Sequence, residues 1–269
     1  MAEWFAENGD PIHGTSGTPF PQSLDFAFCT RRETRLFFLL KNPGSGEVAL
    51  NGIMTPVKRA SVPFRQEGNA VRLMPPEFTG RTFPCVTLEF DRTPEIDSRL
   101  MPQNGVLSLA PKCGTPAAGN PPESVGTKTV AVSGERAGDQ PDCRLANDGS
   151  LADWHHPGDR IEWNCSFPEG GTYRVRLTTR NRHHSSPWKG AREVELRWRG
   201  VPVLRARLAA DLTLPGSYYA AAESNLGEIA ISPGESGILS LHTTEAEAPA
   251  VEMTLVCLNL KKRDSLSAK

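Results

Sequence analysis

Short apolar and β-branched runs recur at Asp25–Cys29, Leu36–Leu40, Glu47–Leu50, Lys58–Val62, Ala70–Met74 and Cys85–Phe90, each bounded by Gly, Pro, Asn or Thr. These are strand lengths, and none sustains a helical period. The turn Asn42-Pro43-Gly44-Ser45-Gly46 before Glu47 and the dipeptide Asn51-Gly52 before Ile53 supply residues that tolerate positive φ, as hairpins demand. The pattern predicts a small antiparallel sandwich. Between Arg92 and Lys128 it dissolves into Pro, Gly and small polar residues, with one short strand expected around Val106–Leu109. From Lys128 alternation resumes. Tyr173, Val175 and Leu177 fall on one face and Arg174, Arg176 and Thr178 on the other, and Val194, Leu196 and Trp198 alternate likewise with Glu193, Glu195 and Arg197. The closing run Val251–Leu260 is apolar on both faces and reads as a central strand. The expected fold is all-β: two antiparallel β-sandwich domains at 25–112 and 128–262, a Pro/Gly-rich linker at 113–127, a leading segment 1–24 and a charged, frayed tail 263–269.

Composition sharpens this in three ways. The 269 residues, 38% of them hydrophobic, can fill two ordinary cores, and 24 glycines with 23 prolines suit many short strands joined by turns. A net charge of −1 with scattered Lys and Arg gives no basic field for nucleic acid. No apolar run approaches the roughly 20 residues that cross a bilayer, and Met-Ala-Glu-Trp-Phe lacks the basic-then-apolar pattern of a secretory signal, so neither a membrane partner nor a targeting signal is expected. Cys29, Cys85, Cys113, Cys143, Cys165 and Cys257 are even in number, which permits disulfides, but form no C-x-x-C pair. Most are expected to be buried free thiols, with Cys165 and Cys257, set in apolar strand patterns, fitting best.

The opening Glu3-Trp4-Phe5-Ala6-Glu7-Asn8-Gly9-Asp10-Pro11-Ile12-His13-Gly14-Thr15 resembles the G-E-W-L-x-x-N-G-E-A-I-Y-G-T segment that leaves the catalytic barrel in family-29 α-L-fucosidases. Asp10-Pro11 stands where that pattern has Glu-Ala, and His13 where it has Tyr. Cys29-Thr30-Arg31-Arg32-Glu33-Thr34-Arg35-Leu36-Phe37 resembles the strand pair of the β-sandwich that follows the barrel in that family. Trp154-His155-His156-Pro157-Gly158-Asp159-Arg160-Ile161-Glu162-Trp163 and Gly171-Thr172-Tyr173-Arg174-Val175 are similar to segments of the jelly-roll carbohydrate-binding modules appended to such enzymes. The resemblance implies that 1–24 connects a barrel to the first sandwich, with Trp4, Phe5 and Ile12 at that junction. It implies a non-catalytic, carbohydrate-binding and scaffolding chain, with a glycan, fucose-containing, as partner. The alternative is a purely structural bracing part of a longer or multi-chain fucosidase, whose barrel lies in a parent or partner chain. A retaining glycosidase needs two carboxylates about 5–5.5 Å apart, and in this family both precede the point where the matched segment begins, so no catalytic residue is assigned. A secreted or periplasmic address follows only if the family's habit holds.

Sugars offer a weakly apolar C–H face ringed by hydroxyls, so a binding site needs exposed aromatic faces beside fixed polar groups. Asn181–Gly190 supplies both and interrupts two strong strand patterns, making Trp188, His183 and His184 candidate contacts; against this, Trp188 could fold back as a lid on the core. Tyr218 and Tyr219, after Pro215-Gly216, form a second candidate loop. Trp154 precedes a turn and reads either as contact or as core, whereas Trp163, in phase with Ile161 and Cys165, reads as core. The pairs His155-His156 and His183-His184 lack metal-ligand spacing and read as solvated loop residues, so no metal site is assigned. Glu135 weakly resembles a residue that helps hold structural calcium in related modules; no other cofactor is expected.

Overall fold

The computed structural model describes residues 9–41, 46–76, 82–119, 143–154, 157–181, 187–216, 218–244 and 253–263. These divide into two compact units, the first drawn from Met1–Ser108, Ser166–Glu169 and Pro233–Glu235, the second from Leu109–Cys165, Gly170–Ser232 and Ser236–Lys269. The first unit is built from β1 (Ala27–Arg32), β2 (Arg35–Leu40), β3 (Val48–Asn51), β4 (Val57–Ala60), β5 (Phe64–Glu67), β6 (Ala70–Leu73) and β7 (Cys85–Phe90). They pair antiparallel in two sheets, ordered β1-β2-β7-β4 and β3-β6-β5. The period of two sorts their side chains. In β7, Val86, Leu88 and Phe90 turn inward while Cys85, Thr87 and Glu89 turn out. Leu36, Phe38, Leu50, Ile53, Val71 and Leu88 belong to one buried core.

One turn differs from expectation. Gly52 does adopt positive φ (88°), but Asn51-Gly52 makes no hairpin: the N–H groups of Gly52 and Ile53 donate to the carbonyl of Asn69, and Ile53 bridges to Ile96. The hairpin glycine is Gly68 (φ 56°), between β5 and β6. Asn42–Ser45 lies outside the described residues.

Leading on are β8 (Val106–Leu109), at its expected place, and a 3-10 turn at Pro111–Cys113. The second unit then contains β9 (Thr115–Ala117), β10 (Arg144–Leu145), β11 (Leu151–Ala152), β12 (Arg160–Phe167, but for its last two residues), β13 (Gly171–Asn181), β14 (Glu193–Trp198), β15 (Val201–Arg207), β16 (Leu212–Leu214), β17 (Ala221–Ile231), β18 (Glu235–Thr243, but for its first residue) and β19 (Met253–Lys262). One sheet runs β15-β14-β18-β12-β9 and the other β10-β11-β19-β13-β17-β16. The expected linker is therefore in part a strand: β9 pairs with β12, placing Thr115 opposite Glu162 and Ala117 opposite Arg160. Its Pro116 sits on the outermost strand of the sheet, where a missing N–H breaks no inner ladder.

The predicted alternation in β13 and β14 is observed: Tyr173, Val175, Leu177, Val194, Leu196 and Trp198 are buried, with Ile161, Trp163 and Cys165 of β12. β19 lies between β13 and β11, a central position as expected, but it is not apolar-buried on both faces. Leu255, Leu258 and Leu260 are buried while Cys257 and Asn259 are half-buried on the wetter side. A register shift opposite Thr178/Thr179 sets this phase. All six cysteines carry free thiols; Cys29, Cys143 and Cys165 are buried and Cys85, Cys113 and Cys257 half-buried, so Cys257 is less enclosed than its apolar setting suggests. No helix among the described residues is long and apolar enough to cross a membrane.

Candidate functional site

The end of β13 organises the candidate site. Successive strand residues point to opposite faces, so Thr179 and Asn181 turn inward and are buried, while Arg180 continues the outward row of Arg174 and Arg176. Buried polar groups need partners. Thr179 Oγ1 accepts from Trp188 Nε1 at 3.1 Å. Asn181 Nδ2 donates to the carbonyl of Pro187 (3.2 Å), its Oδ1 accepts from the N–H of Lys189 (3.2 Å), and its own N–H donates to the carbonyl of Ala220 (2.9 Å). One asparagine thus ties the strand to both loops that the sequence singles out.

On the outer face Arg180 donates to Asp148 Oδ2 and to Ser150 Oγ (3.4 Å), and its guanidinium lies 5.3 Å from the centre of the Tyr219 ring. Tyr219 meets Tyr218 edge-on, with centroids 5.1 Å apart. Tyr218 is 72% exposed. Ser150 donates to Asp148 Oδ1 at 2.5 Å and its N–H to the same oxygen at 3.1 Å. The result is an exposed Tyr218 on a half-buried Tyr219, beside a carboxylate and guanidinium that the buried Ser150 hydroxyl holds in place, a mixture that a sugar's C–H face and hydroxyls can use.

The Ser150 hydroxyl, and after it Arg180, hold the Asp148 carboxyl down at about 2. The folded value lies below that of the unfolded chain, so the stabilisation is fully present above about pH 4 and lost as the pH falls through about 2. The Tyr219 ring and Arg180 Nε–H resonances should therefore titrate with a midpoint near 2, and Asp148→Asn should abolish the step. A midpoint near the ordinary carboxylate value would mean that Asp148 is not engaged.

The candidate residues are not all brought together. Trp188 is half-buried and bonded to the inward Thr179, whereas the tyrosine pair packs on the outward Arg180, so the two lie at one strand end but on opposite faces and form no single platform. Trp154 is corrected to core: it is fully buried, with the Arg192 guanidinium stacked 3.8 Å over its ring and Arg192 Nη1 donating to its carbonyl at 2.8 Å, leaving no face for a ligand. His183, His184, His155, His156 and Glu135 lie outside the described residues, as do Trp4 and Phe5. Ile12 is 39% exposed. Among the described residues no group of three or more His, Cys, Asp or Glu side chains is placed to hold a metal ion. Sequence reasoning missed Asp148, Ser150 and Arg180. The signal was present in Asn147-Asp148-Gly149, a turn motif with Gly149 at φ 79°, and in the phase of Arg180 with Arg174 and Arg176.

No family model matches the chain, and no curated protein matches it in sequence. Among solved structures, an α-L-fucosidase from Vibrio sp. strain EJY3 matches 97% of this chain with a TM-score of 0.61 and 14% identity; the chain spans 44% of that enzyme's length. The likeness is one of fold. A family 35 carbohydrate-binding module from Clostridium thermocellum matches 59% of this chain and 98% of its own at a TM-score of 0.36 and 11% identity. A family 36 carbohydrate-binding module in complex with calcium and xylotriose matches 44% of this chain and 86% of its own at 0.31 and 13%. Those two scores are too low to assign a fold.

Proposed function

We propose that this chain is the non-catalytic, carbohydrate-binding and scaffolding portion of an α-L-fucosidase-like glycoside hydrolase, taking a fucose-containing glycan at the end of β13. The observation that carries the reading is the exposed Tyr218, braced on Tyr219 and flanked by the fixed Arg180, Asp148 and Ser150. A sugar ring stacks on tyrosine at little entropic cost, because that side chain has few torsions to freeze, and Arg180 and Asp148, held by the buried Ser150, meet hydroxyls in positions fixed beforehand by their mutual hydrogen bonds. Tethering of this kind raises the local concentration of substrate for a barrel carried elsewhere. The fold likeness to the matched part of the Vibrio fucosidase supports the family half of the proposal.

The test is glycan-array and calorimetric binding of fucosylated oligosaccharides to the whole chain and to Tyr218→Ala. The variant should bind about tenfold or more weakly with an unchanged melting temperature, since Tyr218 is largely in solvent. Equal binding by both proteins would move the site away from Tyr218. A wild-type chain that binds no glycan would leave the bracing role, which the match over 97% of the chain favours, as the better reading.

A further inference from the structure

The outer face of the first sheet carries a groove of about 320 Å³, lined among others by Arg35, Arg59, Ser61, Thr87 and Glu89. Its charges are set by strand register. Arg35 of β2 and Arg59 of β4 both stand opposite Glu89 of β7, so three neighbouring strands place arginine, glutamate and arginine in one row. Each guanidinium reaches Glu89 through its Nε, at 3.4 Å to Oε1 and 3.4 Å to Oε2. Asp10, the other acid of the groove, is engaged by Arg32 at 3.3 Å. Two guanidiniums thus share one carboxylate, and the row keeps a surplus positive charge.

One register step along, Thr87 stands opposite the buried Phe37, and Ser61 is locked to Thr87 by two backbone contacts: its Oγ accepts from the N–H of Thr87 at 3.0 Å, and its own N–H donates to the carbonyl of Thr87 at 3.0 Å. Among the described residues no acceptor takes the Ser61 hydroxyl proton. The groove therefore offers forked cationic donors at one end and hydroxyls about 7 Å further along the strands, two residues at about 3.4 Å each. That spacing separates an acidic substituent from the ring hydroxyls of a sugar. Its volume lies at the lower end of small-molecule sites, and its open, polar wall suits a hydrated ligand better than an apolar one.

We propose that this groove is a second carbohydrate site, independent of the loops at the end of β13 and selective for an anionic sugar. The terminal nitrogens of Arg35 and Arg59 hold the carboxylate or sulfate, for which a planar guanidinium is the best-matched donor, while Ser61 and Thr87 meet ring hydroxyls.

The test uses the whole chain and three probes: tetragalacturonate, a chondroitin sulfate tetrasaccharide and neutral cellotetraose. At low salt at least one anionic probe should bind about tenfold or more tightly than cellotetraose, and the preference should shrink as salt rises. Which of the two binds identifies carboxylate or sulfate as the acidic group. The Arg35→Gln/Arg59→Gln double variant should lose the preference. Arg59→Gln alone, at a side chain 75% exposed, serves if the pair impairs folding. In the wild type, amide NMR shifts on addition of the anionic probe should centre on Ser61 and Thr87. Equal affinity for all three probes, an unaltered preference in Arg59→Gln, or shifts confined to the second unit would each overturn the proposal, whatever the result for Tyr218→Ala.

Discussion

Replacing Trp154 by alanine is expected to destabilise the second unit by about 3–5 kcal/mol. The ring is fully buried and one face is covered by Arg192, itself only 4% exposed and anchored on the Trp154 carbonyl. Truncation removes the transfer energy of an indole, opens a cavity that the stacked guanidinium cannot fill, and strips a buried cation of the π face that compensates its desolvation. Chemical denaturation of Trp154→Ala, Arg192→Ala and the double variant measures this directly. The single losses should sum to more than the double by at least about 0.5 kcal/mol, the signature of a direct contact. A Trp154→Ala loss under about 1.5 kcal/mol would mean that the indole is not part of the core.

Adding one methyl group is expected to cost nearly as much at Gly114. Its φ of −118° is open to any residue, so a change to alanine meets no backbone penalty. The obstacle is space: a Cβ there would lie 2.7 Å from Nε1 of Trp163 and 2.8 Å from the carbonyl oxygen of Glu162. Trp163 cannot step aside, because it is fully buried and its Nε1–H donates to the carbonyl of Ala110 at 3.1 Å. Overpacking of this kind costs about 1–3 kcal/mol, with loss of the Trp163 hydrogen bond on top. Gly17→Ala is the control, since nothing lies within 4 Å of its added methyl. Comparable melting temperatures for the two variants would show that the turn yields without strain.

These residues also show what a sequence discloses. Trp163 was legible as core because alternation with Ile161 and Cys165 is a local signal, and the same rule sorted the two faces of β13 and β14. Trp154 was undecided because its burial depends on Arg192, 38 residues away, reaching back to its carbonyl. β9 was hidden inside a Pro/Gly-rich stretch because pairing of an outermost strand tolerates the residues that usually signal a loop. Trp188 and Tyr218 were visible as loop aromatics, but that they sit on opposite faces of one strand end follows from the parity of Thr179 and Arg180, which only the register of β13 against its neighbours fixes. The Arg35, Glu89 and Arg59 row is likewise a product of non-local pairing.

Two of the buried thiols sit in different units: Cys29 in the core of the first and Cys165 in the second. Burial pushes the Cys29 thiol up to about 12 and raises that of Cys165 as well, so neither presents thiolate to an electrophile while its own core is closed. Each therefore acts as a clock for one unit alone. Pulsed alkylation followed by peptide mass analysis can read the two opening rates from a single sample, and their ratio says whether the halves of this chain melt as one cooperative body or as two.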